Sequence, residues 1–329
     1  LPNMTKIAAQ GLLFNNFFSA GKRSSEALPA ILSGLPPQLD RNFLWEIPLK
    51  NIDSFPFVLK KHGFHTSYFH GGDLSFEQQQ HFLDLLGIDE IFGLKLSEKK
   101  SLRSWGMLDG DTFDEMRAWL EEHQKNQPHQ PFFSVIATLS THHPFERPRT
   151  WKTQTPPSNY NEEFMESARY LDAELGRFFK WFKNSVLHDN TIIAIVGDHG
   201  RRPYLRREQN RPQNDAVPFI LYGLPKQILE NKKSFAYRIG SQYDIPSTLA
   251  HLIPLTANPC QQGTNLFAPD SKFPFERTLI ALENDDRTLV NYYRDGSHYQ
   301  FDINTSKTIK MGSFAKPRVK SQKHNSGID

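Results

Sequence analysis

Asp198 and His199 close a run of apolar, mostly β-branched residues, Thr191-Ile192-Ile193-Ala194-Ile195-Val196-Gly197, and a carboxylate beside an imidazole is a pair that can ligate a metal ion. The run reads as a buried parallel strand, and the carboxyl ends of strands in open α/β sheets form the crevice where ligands bind. Alone, the pair has a second reading, in which Asp198 caps the following turn and His199 is a surface histidine. Two more apolar stretches end in the same way. Phe64 to Phe69 runs into His70-Gly71-Gly72-Asp73, and Phe132 to Leu139 runs into Ser140-Thr141-His142-His143-Pro144-Phe145. Near the start, Gly21-Lys22-Arg23-Ser24 leads into an apolar helix reaching Ser33, which puts Ser24 at or near a helix N-terminus, where free N–H groups and the macrodipole favour an anion. Ser24 also fits a plain N-cap, but capping uses neither Lys22 nor Arg23. A serine hydroxyl is a poor nucleophile at neutral pH, and coordination to a divalent cation activates it for attack on phosphorus. Lys22 and Arg23 would neutralise charge on the phosphoryl oxygens. Oxygen and imidazole donors without thiolate suit manganese or magnesium better than zinc.

The elements that position these residues follow from periodicity. Helical patterns at Phe57 to His62, Phe76 to Leu86, a helix capped by Asp111 and running through Met116, Trp119 and Leu120, Glu162 to Lys183, and Asp244 to Leu252 alternate with the short apolar strands, including Val217 to Tyr222. That alternation predicts an α/β fold with a mostly parallel central sheet sandwiched by helices, in a catalytic domain spanning residues 1–276. From 277 to 306 the texture changes to hairpin strands, Leu279 to Leu282, Leu289 to Tyr293 and His298 to Ile303, with Arg294-Asp295-Gly296 as a turn, which predicts a small antiparallel subdomain. Residues 307–329 read as a basic, frayed tail.

The chain has 329 residues, 38% hydrophobic and 23% charged, which places it among globular proteins, and its net charge of +3 suits anionic ligands or a membrane surface without indicating nucleic acid. No nucleic-acid module is visible. The single cysteine, Cys260, excludes an intrachain disulfide and a thiolate zinc cluster. There is no apolar run of membrane-spanning length, and the start at Leu1-Pro2-Asn3 without methionine suggests that an upstream segment has been removed. Trp105 and Asp109 precede a helix and either line a pocket or pack. Arg201, Arg202, Arg206, Arg207 and Arg211 form either a solvated basic loop or a lipid-headgroup surface.

In this order and spacing, Gly21-Lys22-Arg23-Ser24, His70-Gly71-Gly72, Ser140-Thr141-His142-His143-Pro144-Phe145 and Gly197-Asp198-His199-Gly200 resemble the lipoteichoic acid synthase and phosphoglycerol transferase family of the alkaline phosphatase/sulfatase superfamily. The resemblance covers about residues 1–270. It implies a catalytic Ser24 that also ligates the metal together with Asp198 and His199, and a His142 that contacts the transferred group. Lys22, Arg23, His70, Asp73 and Trp105 complete the expected substrate-binding set. One divalent ion, manganese first and magnesium second, is the implied cofactor. The implied reaction moves a phosphoglycerol-like group from an anionic phospholipid to an alcohol or glycan, on the outer face of a cell membrane reached through an N-terminal anchor. The sequence departs from the family in two ways. The family's metal-binding glutamate would lie upstream of residue 1, and Gly72, Glu77 and Gln79 stand where its glycerol-phosphate site has Asp, Trp and Arg, with Asp73 as a shifted substitute. Gln242-Tyr243-Asp244-Ile245-Pro246-Ser247 resembles a structural helix start of the family. A sulfatase or phosphodiesterase hydrolase is the nearest alternative, although Ser24-Ser25-Glu26-Ala27-Leu28 lacks the proline and arginine of a sulfatase motif. A non-catalytic domain binding anionic lipid or polymer is the other.

Overall fold

In a computed structural model of the chain, residues 1–38, 44, 54–94, 105–153, 155–200, 215–253, 255, 263–274, 277–282, 289–294 and 296–313 are described. The five arginines from Arg201 to Arg211, Cys260 and residues 314–329 lie outside them.

The chain opens with α1 (Pro2–Gln10), β1 (Leu12–Leu13), β2 (Asn16–Phe18) and α2 (Ser24–Ser33), then α3 (Phe55–Lys61) and β3 (His65–His70). After α4 (Gln79–Leu85) and β4 (Glu90–Phe92) come α5 (Asp109–Asn126), β5 (Phe132–Ala137), α6 (Tyr160–Lys183), β6 (Ile193–Val196) and β7 (Phe219–Tyr222). Two short helices, α7 (Lys226–Glu230) and α8 (Lys232–Phe235), lead to β8 (Ile239–Ser241) and α9 (Ile245–Ala250). Strands β9 (Leu279–Leu282), β10 (Leu289–Arg294), β11 (Ser297–Asp302) and β12 (Lys307–Ser313) end the described chain.

The fold is α/β, with β3 at the centre of a parallel sheet ordered β4-β3-β5, and β2 and β8 as a second parallel pair. The expectation of a buried parallel strand before Asp198 is corrected. β6 pairs antiparallel with β7, in the order β1-β7-β6, because the chain returns beside it in the opposite direction, and Ala194 is exposed. Two sheets nonetheless share one helical layer. Phe132 and Ile136 of β5 and Ile193 and Ile195 of β6 all pack on the cluster formed by Phe178, Phe179 and Phe182 of α6. Among the described residues no strand pairs with the outer edge of β5 or of β6.

The C-terminal strands form one antiparallel sheet, β12-β11-β10-β9. Lys307–Ser313, read from sequence as the start of a tail, is its edge strand, opposite β11. Its polar, lysine-bearing character is that of a solvent-exposed edge. Phe18, Ala20, Ala30, Ile239, Tyr243, Leu279, Ala281 and Tyr293 make one buried cluster, so this sheet shares a core with the start of the loop before Ser24.

Two local readings also shift. The helix expected from Phe76 to Leu86 is broken by Glu77 (φ 52°) and Gln78 (φ 56°), both left-handed, and continues as α4 from Gln79. Asp111 is not the cap of α5, whose N-cap is Leu108. The buried Asp109 carboxylate instead reaches across to the end of β5, accepting the N–H groups of Leu139 (2.6 Å) and Ser140 (3.1 Å), while Ser140 Oγ accepts the Asp109 N–H at 3.2 Å. This lock fixes the strand end that leads to His142. Removing it in Asp109→Ala strands two buried donors and should lower unfolding free energy by about 3 kcal/mol. Urea denaturation checks this, and a loss below about 1 kcal/mol would show that water replaces the carboxylate.

Candidate active site

Ser24 is the first residue of α2, with Arg23 in the N-cap position. Its hydroxyl does not cap the helix. It donates to Asp198 Oδ2 at 2.7 Å, linking residues 174 positions apart. Asp198 fulfils both sequence readings, because Oδ1 accepts the His199 N–H at 2.9 Å and closes the turn while Oδ2 faces Ser24. His199 Nε2 lies 3.5 Å from the same Oδ2. Its Nδ1 lies 3.0 Å from the carbonyl of Gly200, an acceptor only, so Nδ1 carries a proton, and in the neutral ring Nε2 is left with its lone pair. That tautomer is the one a metal ligand uses. Three expected donors, Ser24 Oγ, Asp198 Oδ2 and His199 Nε2, thus meet at one point.

The expected anion nest at the start of α2 is occupied from within the chain. Glu26, in the first turn, accepts the N–H groups of Lys22 (2.9 Å) and Arg23 (3.2 Å) with one carboxylate oxygen. Gly21 permits the close approach, since a Cβ there would sit 2.0 Å from that oxygen. Lys22 is corrected as a substrate contact. Its ammonium is buried and pairs with Asp215, which has no exposed surface and whose Oδ2 also accepts the Asn291 amide (2.5 Å) and the Tyr293 hydroxyl. Arg23 remains at the site, half-buried, with Nη1 3.8 Å from Glu77 Oε1.

Gln242 was assigned no chemistry in the sequence, and its position explains why the loops meet. Its Oε1 accepts the Ala20 N–H (2.8 Å) while its Nε2 donates to the carbonyls of Gly197 (2.8 Å) and Asp198 (2.6 Å). One buried amide therefore clamps the Ser24 loop to the Asp198 loop. No spacing rule announces it. Tyr68, buried on β3, is the other residue missed, and its pKa is pushed up by burial first and by the charge of Asp198 second.

The remaining expected residues form one wall. His70 donates from Nδ1 to the Ala137 carbonyl at 3.0 Å, and burial first, then the neighbouring His142, hold its pKa below the ordinary imidazole value against that hydrogen bond. Gly106 bridges to Gly72, and at φ 149° it approaches so closely that a Cβ would meet the Gly71 carbonyl at 2.1 Å. This backbone contact sets Trp105 beside His142, with ring centroids 4.6 Å apart, and beside Phe76 at 5.4 Å. His142 is exposed, and its Nδ1 is 2.8 Å from the His143 carbonyl, which leaves Nε2 as acceptor. Trp105, Leu139, Ser140, His142 and Pro144 line a small cavity, and Arg23, Ser75, Phe76, Glu77 and Gln78 line a wider one of about 450 Å³. Asp73 is a turn residue, exposed, with Oδ1 accepting the Ser75 N–H at 2.8 Å, and that bond holds its carboxyl below the usual range.

Comparison with known proteins follows this geometry. The sulfatase family model matches residues 1–254. Lipoteichoic acid synthase 1 of Bacillus subtilis is 26% identical over 342 residues, 96% of this chain and 50% of the relative. Lipoteichoic acid synthase of Staphylococcus saprophyticus is 24% identical over 285 residues, 82% of this chain and 43% of the relative. The chain thus spans about half the length of the curated relatives it matches. Among solved structures, the lipoteichoic acid synthase LtaP from Listeria monocytogenes superposes with a TM-score of 0.78 at 20% identity, covering 95% of this chain and 79% of that one. An alkaline phosphatase superfamily protein from Vibrio parahaemolyticus gives 0.75 at 22%, covering 94% and 75%. The family model spans most of the chain, so the chain belongs to the sulfatase family, and lipoteichoic acid synthases are among its relatives.

Proposed function

We propose that the chain is the catalytic domain of a metal-dependent phosphotransferase that moves a phosphoglycerol-like group from an anionic phospholipid to an alcohol or glycan through a phospho-Ser24 intermediate. The observation that carries this reading is the 2.7 Å contact from Ser24 Oγ to Asp198 Oδ2, with His199 Nε2 on the same oxygen. A hydroxyl so placed is not serving the helix; it is held against a carboxylate oxygen that an imidazole also approaches. In the first half-reaction Ser24 Oγ bonds to phosphorus, the bond from phosphorus to the lipid alcohol breaks, and that alcohol departs with the proton. In the second, an acceptor hydroxyl oxygen bonds to phosphorus, the bond from phosphorus to Ser24 Oγ breaks, and Oγ regains a proton from the acceptor. Arg23 neutralises charge on the phosphoryl oxygens, and His142 with Trp105 orients the transferred group. His70, kept neutral near pH 7 by burial, presents an Nε2 lone pair beside His142. The active site would work at the outer face of a membrane; among the described residues no helix is long and apolar enough to cross one.

The donor set of one hydroxyl, one carboxylate and one imidazole, without thiolate, fits a hard divalent ion such as manganese or magnesium. Ser24, Asp198 and His199 would hold it. Bound there, it supplies Lewis-acid stabilisation of the hydroxyl's anionic form. The set is short of ligands and of negative charge, and among the described residues no group of three His, Cys, Asp or Glu side chains could hold a metal. Among the described residues the outer edges of β5 and β6 are unpaired, and both strands pack on the same helical layer.

Three outcomes are expected. Ser24→Ala abolishes transfer and phosphodiesterase turnover, while its unfolding free energy stays within about 0.5 kcal/mol of the parent because no cap is lost; full activity in this variant overturns the assignment. His142→Ala lowers activity with metal stoichiometry retained, unlike Asp198→Ala, where both fall. Equal metal loss in the two variants would make His142 a ligand. Third, a chain carrying preceding residues that supply a strand with a glutamate at its end should bind manganese at least tenfold more tightly in calorimetric titration. Equal, tight binding in both chains means that the residues of this chain already complete the site.

A further inference from the structure

A second group of imidazoles sits at the opposite end of the parallel sheet. His65 opens β3, whose far end carries His70, so at about 3.3 Å per residue the two histidines stand about 16 Å apart. His123 lies in the last turn of α5 and is buried. The two Nδ1 atoms face each other at 3.3 Å. On the far side of each ring, His65 Nε2 lies 2.8 Å from Glu90 Oε1, which also accepts the Trp119 indole N–H at 3.0 Å, and His123 Nε2 lies 3.0 Å from the Gln130 carbonyl.

The tautomers follow from these acceptors. Carboxylate and carbonyl oxygens only accept, so both Nε2 atoms carry their hydrogens and both Nδ1 atoms present lone pairs. Two lone pairs aimed at each other repel unless a cation lies between them. An outer N–H anchored on a carboxylate or a carbonyl is also the arrangement that orients histidines at metal centres. The separation agrees. Tetrahedral ligands at the usual zinc–nitrogen length of about 2.0–2.1 Å stand about 3.3–3.4 Å apart. Glu90 adds a negative charge behind one ring, and the His65 side chain, 20% exposed, leaves one side open to water.

We propose that His65 and His123 form a two-histidine site for a divalent transition-metal ion, zinc by its geometry, with water completing the shell. The ion would tie the C-terminal turn of α5 to the first residue of β3, independently of the Ser24 site. Calorimetric titration with zinc chloride alone on the parent chain, His65→Gln, His123→Gln and Asp198→Ala tests it. The parent and Asp198→Ala should share a zinc site whose affinity falls at least tenfold in either histidine variant. In the parent chain, zinc should shift the Nδ1 resonances of His65 and His123 in a nitrogen-15 spectrum of the histidine rings, a readout that does not depend on the variants folding. Equal affinity in all four proteins, or loss in Asp198→Ala alone, overturns the proposal. So do unmoved Nδ1 resonances, which would leave a shared proton as the bridging cation.

Discussion

A carboxylate with no solvent exposure must be met by donors, and Asp215 is met from two distant parts of the chain. Lys22 of the loop before Ser24 supplies the balancing charge, Asn291 and Tyr293 of β10 supply hydrogen bonds, and the Asp215 backbone carbonyl accepts the Ser19 N–H at 2.8 Å. Removing one partner of such a buried pair leaves an uncompensated charge, which typically costs about 3–5 kcal/mol. The loop before Ser24 is therefore pinned to the C-terminal sheet. A further bond, from the Leu282 N–H to the Ala20 carbonyl at 3.0 Å, and the stack of Phe18 on Tyr293 at 4.0 Å extend the same junction. The sheet read from sequence as a small antiparallel subdomain is thus a wall on which the loop before Ser24 is mounted.

This pinning decides which cation serves chemistry. Lys22 and Arg23 are adjacent in sequence, but the extended Arg23 backbone (φ −136°, ψ 152°) turns successive side chains to opposite sides. One goes into the core and meets Asp215, while the other stays at the mouth near Glu77. Glu26 completes the loop by taking the Lys22 and Arg23 N–H groups. Those donors are already engaged by Glu26, so under the proposed function charge on a phosphoryl group would fall to Arg23 more than to this backbone nest.

The meeting of Ser24 with Asp198 and His199, and of His70 with His142, was legible because each residue ends or begins an element whose apolar period is strong. Strand ends lie at one edge of a parallel sheet by construction, so reading β3 and β5 correctly placed His70 and His142 together. The direction of β6 was not legible, because a four-residue apolar run fits either orientation and its partner is set by the return of the chain at β7. Asp215, Gln242 and Asp109 escaped for a different reason. Their function is a hydrogen bond to residues 193, 222 and 30 positions away, and nothing periodic marks a side chain whose partner is chosen by tertiary packing. The edge strand Lys307–Ser313 was hidden by the polarity that suits an edge.

The backbone of the segment that faces Arg23 departs from regular helix. Glu77 and Gln78 both adopt left-handed conformations that cost non-glycine residues energy, and such strain is kept where the surroundings over-determine it. Here the strained pair interrupts what would otherwise be one continuous helix and brings the Glu77 carboxylate to within 3.8 Å of Arg23. A carboxylate at that point competes with an anionic substrate for the same guanidinium, whereas a neutral hydroxyl or an ammonium group on the substrate would meet it as a partner. Phe76 and Trp105 flank the opening with large exposed rings. Under the proposed function, a phosphoryl group would therefore meet Arg23 in competition with Glu77, beside the exposed rings of Phe76 and Trp105.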